Sequence, residues 1–153
     1  MKNLLFVAVA ILSLGLFSCE DKVEEAKAGP NGKKVGVLLV NHGSVSENWR
    51  NMLLDMEDAV REDLLANPNI QKVTTAFMEY TEPSIATRMK EFDEEGYDEV
   101  IVVPIFLTVS SHYSHDIPVI LGLNKDPKIE KELAAEEIEI YKAEANVTVT
   151  PPL

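Results

Sequence analysis

One cysteine in 153 residues, Cys19, excludes a disulfide within the chain. Basic residues are scarce as well. Fourteen Lys and Arg stand against 26 Asp and Glu, a formal net charge of -12, and no stretch gathers cations between aromatics. Binding to a phosphate backbone draws its affinity from such cations, so nucleic acid is excluded as a partner. Glycine-rich loops are missing too. Asn41-His42-Gly43-Ser44 has one glycine and no GxxxxGK[ST] framework, so no nucleotide cradle is expected. No HExxH motif is present, and Ser110, Ser111 and Ser114 carry no oxyanion or base signature of a serine nucleophile.

Long apolar runs are limited to the N-terminus. LLFVAVAILSLGLF, Leu4 to Phe17, follows Lys2 and is too short and too abruptly ended for a membrane span. It reads as an export signal over residues 1–18, with a signal anchor or a buried helix as the other readings. The run closes in LFSC, where a small residue directly before the only cysteine resembles the lipobox of bacterial lipoproteins. On that reading Cys19 is lipidated, and the protein is an exported, membrane-anchored lipoprotein on the periplasmic side or in the cell envelope. Residues 19–34 are charged, carry Gly and Pro, and have little to bury, which describes a flexible tether.

The remaining segment, residues 35–153, has the length of one domain. VGVLLV from Val35 is apolar throughout, the mark of a parallel strand covered on both faces. Trp49, Met52, Leu53, Met56, Val60 and Leu64 recur at helical spacing and predict an amphipathic helix with these residues as its core face. A second strand is expected over Lys72 to Met78. Pro83 fits the first turn of the next helix, which Gly96 ends. A third strand runs from Glu99 to Phe106, and DIPVILGL from Asp116 predicts a short helix or a buried turn, with Asp116 preferred as its cap. KIEKELAAEEIEIYKAEA is helix-prone, and ANVTVT reads as a last strand. Alternating strands and helices imply an α/β fold with a mostly parallel sheet. The sequence stops at TPPL, just after that strand, so its edge is completed either by another subunit or by chain beyond the printed end.

All three histidines follow predicted strands, His42 the first and His112 and His115 the third, and Glu79 ends the second. Ligands bind outside the carboxyl ends of such strands. Neutral imidazole holds borderline metals at near-neutral pH, so these residues are candidate metal ligands. They are equally readable as polar caps of strand ends. Glu79 is a candidate proton acceptor or metal ligand, Glu82 a helix cap, and Asp116 either a cap or a group orienting an imidazole.

Three separated segments, LLVNHGS, FMEYTEPSI and VVPIFLTVSSHYSHDIP, resemble in the same order the small sirohydrochlorin cobaltochelatases and ferrochelatases. The resemblance implies a Rossmann-like chelatase fold in a single-unit or N-terminal-half form. It also implies insertion of a divalent metal, cobalt or iron ahead of nickel, into sirohydrochlorin or a related tetrapyrrole, with no nucleotide. His42 and His112 become the metal-binding and catalytic residues, Glu79 the catalytic carboxylate and His115 a secondary ligand. The tetrapyrrole is the partner molecule, and single-unit members pair as homodimers. The alternative from another functional class is an exported haem-, tetrapyrrole- or metal-binding protein without chelatase activity.

Overall fold

The computed structural model describes residues 26–106 and 111–152. The elements run in the order β1 (Val35–Asn41), α1 (Glu47–Leu65), β2 (Lys72–Phe77), α2 (Ile85–Glu94) and β3 (Glu99–Pro104). A π-helical turn (His112–Asp116) then leads into α3 (Ile117–Ile120), α4 (Pro127–Ala135) and β4 (Asn146–Val149). The four strands form one parallel sheet in the order β2-β1-β3-β4. This is the expected α/β architecture. Every residue of β1 is buried, because it lies between two neighbours and between two layers.

Alternation along the strands divides the core in two. Leu38, Val40, Val100 and Val102 face α2, α3 and α4, where Met89, Phe92, Ile117 and Leu133 complete the larger cluster. Val37, Leu39, Ile101 and Val103 form the smaller one, with Leu64 from α1. Gly36 gives Phe92 its place in the larger cluster: a Cβ there would stand 2.3 Å from the ring.

Helix ends carry their own stops. Ser84 Oγ accepts the Thr87 N–H at the start of α2, so Pro83 precedes the helix and does not sit in its first turn. At the far end Gly96 takes a left-handed φ of 71°, the Tyr97 N–H returns to Phe92 O and the Gly96 N–H to Asp93 O. The same motif stops α4 with a less suitable residue. Glu137 has φ 59°, the Ile138 N–H donates to Leu133 O, and both side chains join the core cluster. The helix-prone stretch therefore ends at Ala135, and residues 136–145 cross the surface without regular structure before β4. Asp93 fastens that crossing by accepting bonds from Tyr141 Oη and from the N–H groups of Glu144 and Ala145 at 2.9–3.1 Å.

The structure corrects several expectations. In α1, Leu53 and Glu57 are buried, whereas Trp49, Met52, Met56 and Val60 are 38–53% exposed. The helix leans on β2 and leaves an apolar groove of about 480 Å³ against β1 and β3. The later half of the segment read as a tether is fastened to the domain: Lys34 is buried, its N–H donates to Asp98 Oδ2, and Gly29 N–H bonds Lys33 O. The lipoprotein reading is withdrawn, together with the signal peptide, the membrane partner and the envelope location. Among the described residues no helix is long and apolar enough to cross a membrane. The apolar run and Cys19 that carried that reading lie outside the described residues.

Candidate metal centre

β1 and β3 are neighbours whose chains leave the carboxyl edge in opposite directions, one toward β2 and the other toward β4. Such a switch point opens a crevice at the strand ends. His42 follows β1 directly, Glu79 lies two residues past β2, and His112 opens the π-helical turn after β3. Three segments distant in sequence thus meet because the sheet places their ends side by side.

The β1–β2 ladder continues beyond the strands. The Met78 N–H donates to Asn41 O at 2.8 Å and the Glu79 N–H to His42 O at 2.9 Å, which fixes His42 and Glu79 as neighbours. Gly43 permits this approach. Its φ is 94°, and a Cβ there would fall 2.1 Å from Glu79 O. Any side chain at this position pushes the two loops apart.

His42 Nε2 is 3.7 Å from Glu79 Oε1, and the His42 and His112 rings meet edge to face with centroids 4.9 Å apart. One ligand atom from each of His42, Glu79 and His112 lies within 4.8 Å of the other two. Donors about 2.1 Å from a shared ion stand at most about 4.2 Å apart, so small side-chain rotations close the three around one cation. Two neutral imidazoles and a carboxylate suit a borderline divalent metal. Three protein donors also leave coordination positions open, as a centre that exchanges its ion requires. Access is retained: the side chains of His42 and His112 are 40% and 33% exposed, while that of Glu79 is 13% exposed.

Around this triad stand groups that the sequence reading weighed differently or passed over. Asp116 carries no helix-capping bond. Its Oδ2 lies 2.7 Å from His112 Nδ1, so of the two roles considered for it the cap is the one that fails. Phe106 stacks beside His112 with centroids 6.4 Å apart. Tyr80, 64% exposed and at a left-handed φ of 68°, has its ring 5.9 Å from that of His42. A hydrogen bond to the Glu79 carboxylate, followed by that group's charge, raises the Tyr80 phenol above its ordinary pKa. Its position beside Glu79 at the end of β2 was the sequence signal available for it. His115 stays outside the triad, with Nδ1 2.8 Å from Ser114 Oγ. Glu82 is not the cap of α2, a place that Ser84 takes; its Oε2 accepts the N–H of that cap residue at 2.6 Å, which lowers the Glu82 pKa.

Two cavities, of about 400 and 500 Å³, flank the triad and share Glu79 and Glu136 in their walls. The smaller adds Tyr80, Glu82, Glu137 and Glu139; the larger adds His112, His115, Asp116, Lys128 and Glu132. Both are predominantly acidic, which favours a cation near the histidines.

Residues 36–153 match the CbiX family. The chain belongs to that family. A sirohydrochlorin cobaltochelatase from Sulfurisphaera tokodaii is 31% identical over 112 residues, covering 73% of this chain and 86% of the relative. A second, from Methanothermobacter thermautotrophicus, is 36% identical over 91 residues and 60% of each chain, so this CbiX-family chain spans under two thirds of that relative. Among solved structures, the sirohydrochlorin chelatase SirB from Bacillus subtilis subspecies spizizenii, in complex with cobalt, superposes with a TM-score of 0.54 at 22% identity. The match covers 78% of this chain and 43% of SirB, and it establishes the shared fold.

Proposed function

We propose that this CbiX-family chain inserts a divalent metal, cobalt or iron, into sirohydrochlorin, with residues 35–153 acting as one chelatase unit. The observation that carries the reading is the convergence of His42, Glu79 and His112 at the switch point of the sheet. The membership in a family whose curated relatives are sirohydrochlorin cobaltochelatases supplies the substrate class.

The metal ion is a substrate, and the site must hold it without keeping it. His42 and His112 bind the ion through neutral nitrogens that add no charge to oppose its departure. Insertion replaces two pyrrole N–H protons with two metal–nitrogen bonds, so two protons must leave the macrocycle. Glu79 is placed to accept one, since its carboxylate is beside both imidazoles and little exposed, and the second passes to solvent water. The acidic cavity walls hold the cation concentration high. Lys128 at the rim of the larger cavity offers a positive charge to a substrate carboxylate.

The test is the purified chain mixed with sirohydrochlorin and Co²⁺ or Fe²⁺, with the absorbance change on insertion as the readout. His42→Ala and His112→Ala should each lower the rate at least about 100-fold, as expected for losing a positioned group that acts on the reacting atoms, while circular dichroism stays unchanged. Wild-type rates in either variant refute the assignment of that histidine. No insertion by the wild-type chain with either metal refutes the chelatase reading.

A further inference from the structure

We infer that Asp116 is the positioning residue of the metal centre: by accepting the Nδ1–H of His112, it presents Nε2 as the ligand atom and sets the two histidines apart in strength. The inference rests on reading His42, Glu79 and His112 as a metal site, and goes beyond it by giving the histidines unequal roles.

The geometry has three parts. First, Asp116 Oδ2 stands 2.7 Å from His112 Nδ1, the length of a charge-assisted hydrogen bond. The Asp116 carboxylate is an acceptor only, so the proton in that bond belongs to the imidazole, and the lone pair of the neutral ring is left on Nε2. Second, the π-helical turn lies over this pair, beginning at His112 and ending at Asp116. Such turns are short and concentrate at functional sites. Asp116 stands at the start of α3 and yet makes no side-chain bond to its N–H groups, so the carboxylate is committed to the imidazole. Third, the pair is shielded: the Asp116 side chain is 17% exposed, and Phe106 stacks along the His112 ring.

His42 is held differently. Its ring is 40% exposed, its nearest carboxylate, Glu79, approaches Nε2 at 3.7 Å, and among the described residues no carboxylate is hydrogen-bonded to it. A ligating imidazole whose other N–H is bound to a carboxylate is fixed in tautomer and orientation and is a stronger donor. His112 is therefore the arm that retains the ion. His42 is the arm that lets go first when the ion moves to another set of nitrogens.

The experiment measures Co²⁺ binding to the full chain by calorimetry and by the visible spectrum of the bound ion, with no tetrapyrrole present. Asp116→Ala should weaken Co²⁺ binding on the order of 10- to 100-fold. Asp116→Asn, which keeps the size and one acceptor but not the charge, should weaken it by less. In a His112→Ala background neither change should weaken binding further, because the carboxylate acts through that ring. Histidine-selective ¹⁵N NMR of the metal-free chain reads the tautomer directly: Nδ1–H at His112 in the wild type, shifting toward the solution mixture in Asp116→Ala. Should the alanine variant fail to fold, the asparagine variant decides through its affinity. Wild-type affinity in the folded variants, an equal loss in the His112→Ala background, or an unchanged tautomer overturns the inference. A wild-type chain that binds Co²⁺ in this Asp116-dependent way but inserts no metal sinks the chelatase reading and leaves this one standing.

Discussion

Replacing Gly43 with alanine tests whether the contact between the β1 and β2 ends builds the site. The added Cβ would lie 2.1 Å from Glu79 O and 3.1 Å from its carbonyl carbon, against 3.4 Å for the start of ordinary contact. Neither neighbour is a movable side-chain tip. Both belong to the backbone whose N–H bonds His42 O at 2.9 Å. Relief requires the loops to part by about 1.3 Å, an overpacking strain worth about 1–3 kcal/mol. The left-handed φ of 94° adds about 1–2 kcal/mol for an L residue with a Cβ. Together they come to roughly 2–5 kcal/mol, a large part of the roughly 5–15 kcal/mol that holds a domain folded. Urea unfolding monitored by circular dichroism measures the loss, and Co²⁺ titration of the fraction still folded measures the site. We expect a lower midpoint with an unchanged slope, and binding weakened by at least about tenfold as Glu79 moves away from His42. Stability within about 0.5 kcal/mol of wild type, the range of a neutral surface change, together with unchanged Co²⁺ affinity would refute the reasoning.

Glu137→Gly should stabilise the chain by about 1 kcal/mol, since glycine enters the left-handed conformation at φ 59° without the penalty that glutamate bears; a lower unfolding midpoint would contradict it. Asp93→Ala should cost about 2–3 kcal/mol, because one carboxylate accepts from Tyr141 and from two backbone N–H groups of the crossing before β4. Hydrogen exchange should then show residues 141–149 opening ahead of the rest, and uniform protection there would count against the Asp93 anchor. Burial pushes the Tyr97 phenol up to about 12 from an ordinary 10.0, with the charge of Glu95 adding to it. The folded pKa is the higher one, so this contribution to stability is complete below pH 10 and lost as pH climbs toward 12. A Tyr97→Phe variant should lack that part of the alkaline decline, and identical alkaline profiles would show that Tyr97 is not the source.

The parts of the fold that were legible share one physical property: their signal is local. A strand buried on both faces must be apolar at every position, and VGVLLV is. Its neighbour strands end where polar residues begin, which puts His42, Glu79 and His112 at one edge of the sheet. Helix lengths were less legible. The stretch after Asp126 has helix propensity well beyond Ala135, but propensity is weak beside the Leu133–Ile138 contact that closes the helix. The face of α1 was misread for a related reason. Periodicity tells which residues share a side, and the packing partner tells whether that side is covered; Trp49 and Met52 share a side that remains half-exposed. Asp116 shows the same limit at the site. Cap and imidazole partner differ by which bond one carboxylate makes, and Asp116 has helical backbone, φ -70° and ψ -51°, where a capping residue is extended, so its carboxylate goes to His112.

By itself the sequence determined the element types, the parallel sheet and the set of chemically able residues at its edge, because burial and alternation are written into each segment alone. The tertiary structure decided which of those residues meet. Distances between ends of strands that lie adjacent in space and far apart in sequence depend on register, on the space that Gly43 leaves open, and on the turn that aims His112 at His42.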